Sequence, residues 1–279
     1  MKKYNLIKYL KILGLSTVSA LTYQNDVISL IADDSNVLYE YNTKYDELTK
    51  ITLSEGELEN LSKTDKLDFE SMVDSEKSMY IFGSGSKTNR EKAIYINKEK
   101  NTVETLNLNY LFDSMKSFAE ISESDLNIEG VAYANNEWYF LNRGNGPGNK
   151  NILFTVQGNN LVDDFNLFFN EFELPKINNV NTGFSDGVVI KNKLYFLATA
   201  ENSKSTYNDG KIEGTLFGCI NLKKMKLEYT QIISTTNKFE GLSLFSLKGK
   251  NAVFLLGEDN DNQNEETQIY KLEIKLKIQ

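Results

Sequence analysis

The chain of 279 residues contains no histidine. That absence removes Ser-His-Asp and Cys-His catalysis, imidazole general bases and histidine-ligated zinc in one step. Cys219 is the only cysteine, so neither an intramolecular disulfide nor a thiolate metal cluster can form. It lies in the apolar run LFGCIN and reads as a small buried hydrophobe. Proline occurs only at Pro147 and Pro175, while aromatics make up 11% of the chain, a combination that suits strands better than linkers. No apolar run reaches the roughly 18 residues a membrane span needs, and no membrane partner is expected. Positive charge is in deficit: 31 Lys and Arg against 39 Asp and Glu leave a net charge of −8. Phosphate binding needs a basic footprint, so nucleic acid is not expected as a partner.

The N-terminal stretch MKKYNLIKYLKILGLSTVSALTY has a basic start and a small-residue V-S-A site, as a signal peptide would. Lys8 and Lys11 interrupt its apolar stretch and leave only Ile12 to Ala20. A cytoplasmic protein is the expectation. A secreted or periplasmic one is the alternative if this segment is a signal.

What the chain does have is an internal repeat, the feature that decides the fold when it is present. Four segments share a small polar lead, an aromatic or aliphatic residue, a carboxylate and a short apolar strand. They are DFESMVDS, NIEGVAYA, FSDGVVIK and KFEGLSLF. A fifth, TVSALTYQ, carries serine in place of the acid. The register residues are Ser19, Glu70, Glu129, Asp186 and Glu240, spaced by 51, 59, 57 and 54 residues. Joining the C-terminus to the N-terminus gives a fifth interval of 58. Five near-equal units in a closed ring predict an all-β, five-bladed β-propeller, a single domain over residues 1–279. Six blades is the alternative, if 161–183 hides extra strands. Short apolar runs with Asn-rich turns supply four strands per unit, the third unit's last running from Leu161. The fifth unit lacks its outer strand, and Tyr4 to Ile12 is expected to supply it. The segment 109–121 has apolar residues at helical spacing and predicts a short helix.

In a propeller the first strand of each blade lines the channel. The residues opening it converge with the loops that join the second and third strands. Glu70, Glu129, Asp186 and Glu240 are therefore expected around one mouth, as candidate ligands of Ca²⁺ or Mg²⁺. Such a ring needs compensation, since two charges at about 4 Å repel by about 4 kcal/mol at an effective dielectric near 20. A cation, basic side chains with Arg143 best placed, raised carboxyl pKa values, or backbone N–H groups of the next blade could each supply it. The polar loops above add the ligand candidates Asp33, Asp34, Asn142, Arg143, Asn145, Glu201 and Glu258. The loop from 259, DNDNQNEE, lacks the sixth-position glycine of an EF-hand and is expected to be solvated.

The segment DLNIEGVAYANNEWYFLNRGNGPGNKNILF, 125–154, resembles a family of bacterial propellers of unknown function, similar to the SdiA-regulated and esterase-like phytase propellers. LGLSTVSALTYQNDVISLIADDSNVLYEYN, 13–42, resembles their first blade, with Asp33-Asp34-Ser35 following the second strand. The resemblance implies a propeller and names no reaction. Some of the wider group are regarded as calcium-dependent phosphatases with Lys/His-rich pockets, which have no counterpart here. Two functions stay open: a monomeric module binding a small polar ligand or a protein through this mouth, and a divalent-cation-dependent hydrolase of phosphoesters or lactones.

Overall fold

The computed structural model describes residues 4–15, 17–56, 58–202, 210–259 and 266–277. They form five four-stranded antiparallel sheets. The first blade is β2 (Ala20–Gln24), β3 (Val27–Ile31), β4 (Val37–Asn42) and β5 (Glu47–Thr52). The second is β6 (Phe69–Asp74), β7 (Ser78–Gly83), β8 (Lys92–Asn97) and β9 (Thr102–Asn107). The third is β10 (Ile128–Ala134), β11 (Glu137–Asn142), β12 (Ile152–Gly158) and β13 (Phe165–Glu171). The fourth is β14 (Thr182–Ile190), β15 (Lys193–Asn202), β16 (Lys211–Asn221) and β17 (Lys226–Ser234). The fifth is β18 (Lys238–Lys248), β19 (Asn251–Asp259), β20 (Glu266–Lys275) and, from the N-terminus, β1 (Tyr4–Leu13).

The inner strands touch in the order β2, β6, β10, β14, β18 and back to β2, which closes the ring. This is the five-bladed propeller that the repeat spacing predicts. β1 runs antiparallel to β20 from Tyr4 opposite Ile274 to Leu13 opposite Glu266. The pairing joins both ends of the chain in one blade and covers an edge of β20 that would otherwise be open. The interval 161–183 adds no sixth blade. Residues 161–164 form a bend rather than the start of β13, and beyond β13 there is only an isolated bridge between Ile177 and Val180.

Near-continuous apolar runs in strands such as β11, β15 and β19 make each sheet apolar on both faces, and each face packs on a neighbouring blade. Five hydrophobic clusters result, one per blade–blade interface. The interface between blades two and three also takes α1 (Asn109–Phe118), whose Leu111, Phe112 and Met115 are fully buried. Gly85 makes room for it: its φ is +69°, and a Cβ there would stand 2.4 Å from Cδ1 of Phe112. The turns between first and second strands are tight. Asn25-Asp26 and Asn135-Asn136 have positive φ at both positions, as a two-residue type I′ hairpin requires.

Candidate ligand site at the channel mouth

A β-bulge places each glutamate of the repeat. The register of β6 on β7 shifts across Glu70, that of β10 on β11 across Glu129, and that of β18 on β19 across Glu240. A bulge leaves one residue outside the ladder and re-aims its side chain. In the fourth blade the bulged residue is Ser185, and Asp186 stands one position further along. This corrects the sequence alignment, which set Asp186 level with the glutamates. Asp186 instead accepts the Gly187 N–H at Oδ1 (2.7 Å) and the Leu242 N–H of the next blade at Oδ2 (2.6 Å). Ser185 donates to the Phe239 carbonyl of that same blade. Both residues clamp inner strands together.

The glutamates meet bases of the chain itself. Arg143, buried at the end of β11, places Nη1 3.3 Å from both Glu129 and Glu240 and Nη2 2.9 Å from Glu201. Burial works against its charge, but these carboxylates hold the guanidinium firmly protonated. Its stem lies against Gly183, where a Cβ would come within 2.5 Å of Arg143 Cγ. Lys238 joins Glu240 (3.0 Å) to Asp259 (2.6 Å), completing one network of two bases and four acids. A second network lies in the neighbouring sector. Lys66 contacts Asp33 and lies 2.8 Å from Asp68, while Arg90 Nη1 lies 2.7 Å from Asp68. The Ser84 hydroxyl donates to Asp68 at 2.5 Å.

Glu70 stands between the two networks. It is only 9% exposed, yet among the described residues it makes no hydrogen bond or ion pair. Burial, then the charges of Glu129, Asp68, Asp33 and Glu240, push its carboxyl well above the usual range. One oxygen each from Asp33, Asp68 and Glu70 lie within 4.8 Å of one another. The mouth thus holds seven carboxylates and four bases, with one carboxyl uncommitted.

Asp33, Arg143 and Glu201 of the sequence candidates belong to these networks, and Glu201 also accepts the Gly210 N–H at 2.5 Å. Asp34 is half-buried beside Asp33, its carboxyl pushed up by burial and by that neighbour. Asn145 follows in the same loop, and its Oδ1 is buried without a partner among the described residues. Asn142 is instead a loop clamp: it is fully buried, accepts the Asn127 N–H and donates to the carbonyls of Asp125 and Lys150. Glu258 accepts from Asn237 at 2.5 Å, on the other side of its strand from Asp259. Asp259 itself is buried on Lys238, against the expectation of a solvated loop there. Residues 260–265 of that loop and 203–209 of the preceding one lie outside the described residues.

Sequence reading passed over Lys66, Asp68, Arg90, Lys238 and Asp259. A signal existed for two of them: Asp68 and Lys238 each stand two residues before a repeat glutamate. Arg90 lies in the loop between β7 and β8, one of those expected at the mouth, while Lys66 comes from the connection between β5 and β6 and only the fold brings it in.

Solved structures with the same architecture include glutaminyl cyclase of Myxococcus xanthus, with a TM-score of 0.55 and 8% identity over 98% of each chain. The Malassezia sympodialis allergen Mala s 1 gives 0.55 and 12% identity over 98% of this chain and 96% of the other. The PQQ-bound aldose sugar dehydrogenase of Streptomyces coelicolor gives 0.54 and 10% identity over 99% of each. At such identities the likeness shows the fold alone. None of the curated proteins matches the sequence. A family profile does match, over residues 14–274, and the chain belongs to that family, the family of unknown function DUF6929.

Proposed function

We propose that this propeller is a binding module whose site is the acidic channel mouth, and that its ligand is small, polar and positively charged. The observation that carries this reading is Glu70, a buried carboxyl with no partner among the described residues, set between two networks in which every other acid has one. Both Glu70 oxygens keep contact with solvent, so the carboxyl faces the channel and is open to an incoming ligand. The excess of acids over bases sets the sign of the charge that completes the site. Asp33 stands beside Glu70, and its partly exposed side chain opens the site to solvent.

A divalent-cation-dependent hydrolase of phosphoesters or lactones is the second reading. The carboxylate triad of Asp33, Asp68 and Glu70 supports it. Against a metal held by the whole ring, Glu129 and Glu240 share Arg143, and both Asp186 oxygens accept backbone N–H groups.

Thermal unfolding against a panel of divalent cations, alkylamines, polyamines and sugars tests the binding reading. At a concentration near 100 times its Kd, a ligand specific for the native state adds about 2.7 kcal/mol. The shift is expected to vanish in Glu70→Gln. A shift of equal size in that variant would place the ligand elsewhere and contradict the reading.

A further inference from the structure

We infer that the mouth holds a hard divalent cation of the calcium class among Asp33, Asp68 and Glu70, and that the Lys66 ammonium is the resident counter-ion which the cation displaces. This rests on the reading of the mouth as a ligand site and names its ligand. Of the repeat acids it keeps Glu70 alone, since Glu129, Asp186 and Glu240 take no part.

Three observations converge. First, the donor set is right. One oxygen from each of the three carboxylates lies within 4.8 Å of the others. Calcium–oxygen bonds run about 2.3–2.6 Å, so two ligands on opposite sides of one ion stand up to roughly 5 Å apart. The three oxygens can close on one ion with little movement. Second, the Glu70 carboxyl, nine-tenths buried, is without a partner among the described residues and is aimed into this cluster. Third, a cation already sits there. Lys66 Nζ is on Asp33 and on Asp68 and also feels the charge of Glu70 without bonding it, so the cluster attracts positive charge.

Charge balance favours the exchange. With the three carboxylates ionised, Lys66 and Arg90 leave the cluster one negative charge in excess. Replacing the ammonium by a divalent ion brings it to neutrality, with Arg90 still holding the far oxygen of Asp68. The way in is open, because the Asp33 side chain is 31% exposed and that of Lys66 is 13% exposed, at the rim. A hard ion suits an all-oxygen set with no histidine or thiolate near it.

Isothermal titration of Ca²⁺ and Mg²⁺ into the EDTA-treated, dialysed full-length protein tests this. The wild type is expected to bind one cation. Glu70→Gln and Asp33→Asn should each weaken binding at least tenfold. Lys66→Met should tighten it about tenfold, because the internal competitor is gone, and Glu40→Gln, on β4 and outside both networks, should leave it within twofold. Lys66→Gln serves as a second variant should Lys66→Met fail to fold, as judged by circular dichroism. Loss of binding in Glu129→Gln with Glu70→Gln unaffected would overturn the assignment by placing the ion in the ring. So would weaker binding on removing Lys66. An absence of cation binding in wild type and both Lys66 variants would also overturn it. In that event the broader binding reading would stand or fall on amines and sugars in the thermal panel.

Discussion

The buried acids of this chain are handled in three ways, and each has a consequence at a single position. Where an acid is paired, removing the partner is expensive. Arg143 serves three carboxylates at once. Arg143→Gln is expected to cost about 3–5 kcal/mol, because the acids stay buried without their charge partner. Denaturant unfolding measures this, and a loss below about 1 kcal/mol would show that water already screens the group. Where an acid is clamped on backbone N–H groups, as Asp186 is, it binds two blades together and plays no visible part in the mouth. Where an acid is half-buried without a bond of its own, ionisation itself is the burden. Glu40, on β4, is pushed above its ordinary value of 4.5 chiefly by burial, with Asp74 adding to the shift and Lys98 opposing it. The folded state therefore holds this proton where the unfolded chain has released it. Its contribution to stability is full below about pH 4.5 and is lost as pH rises through the folded value. Glu40→Gln, which has no proton to lose, should melt higher than wild type near pH 8 and alike near pH 4. A gap that widens toward acid would contradict the assignment.

At the scale of elements, the strands were legible because their short apolar runs and their Asn-rich turns point to the same boundaries. β1 was legible too, from the missing outer strand of the last unit. The bulges were not. A bulge adds one residue to one strand and leaves the apolar pattern on either side intact, so Asp186 looked level with the glutamates when Ser185 is their equivalent. The bend at 161–164 was read as strand for a similar reason: Leu161 is buried and apolar, but it fills the interface beside α1 without joining a ladder. The helix α1 itself was visible in its spacing, whereas its seat was not, because Gly85 belongs to another blade. Gly85→Ala is expected to destabilise the protein by at least 2 kcal/mol, combining a left-handed φ with a clash on the Phe112 ring. Phe112→Leu in the same background should recover part of that loss by relieving the clash. Chemical denaturation of both variants decides it, and no recovery would assign the whole cost to the backbone.

At the scale of the molecule, the ring explains why distant parts of the chain make one site. The ring brings Glu129 of blade three beside Glu240 of blade five, and the packing of consecutive blades brings Asp33 of blade one beside Asp68 and Glu70 of blade two. The repeat made the glutamates legible. The bases of the second network, Lys66 and Arg90, come from the irregular connections and have no period to betray them. Closure also depends on β1, and removal of residues 1–13 should leave β20 as an open edge. That variant is expected to melt at least 10 °C lower and to associate at high concentration; calorimetry and light scattering would show otherwise if the ring closed without it. The central claim is that the uncommitted Glu70 marks the place where this acidic mouth takes its ligand. Crystals grown with Mn²⁺ and measured at an anomalous wavelength test it most directly, since Mn²⁺ accepts the same oxygen ligands. The account predicts one anomalous peak between Asp33, Asp68 and Glu70, with the Lys66 side chain turned out toward solvent. A peak among Glu129, Glu201 and Glu240, or a mouth without a peak in which Lys66 still bridges Asp33 and Asp68, would contradict it.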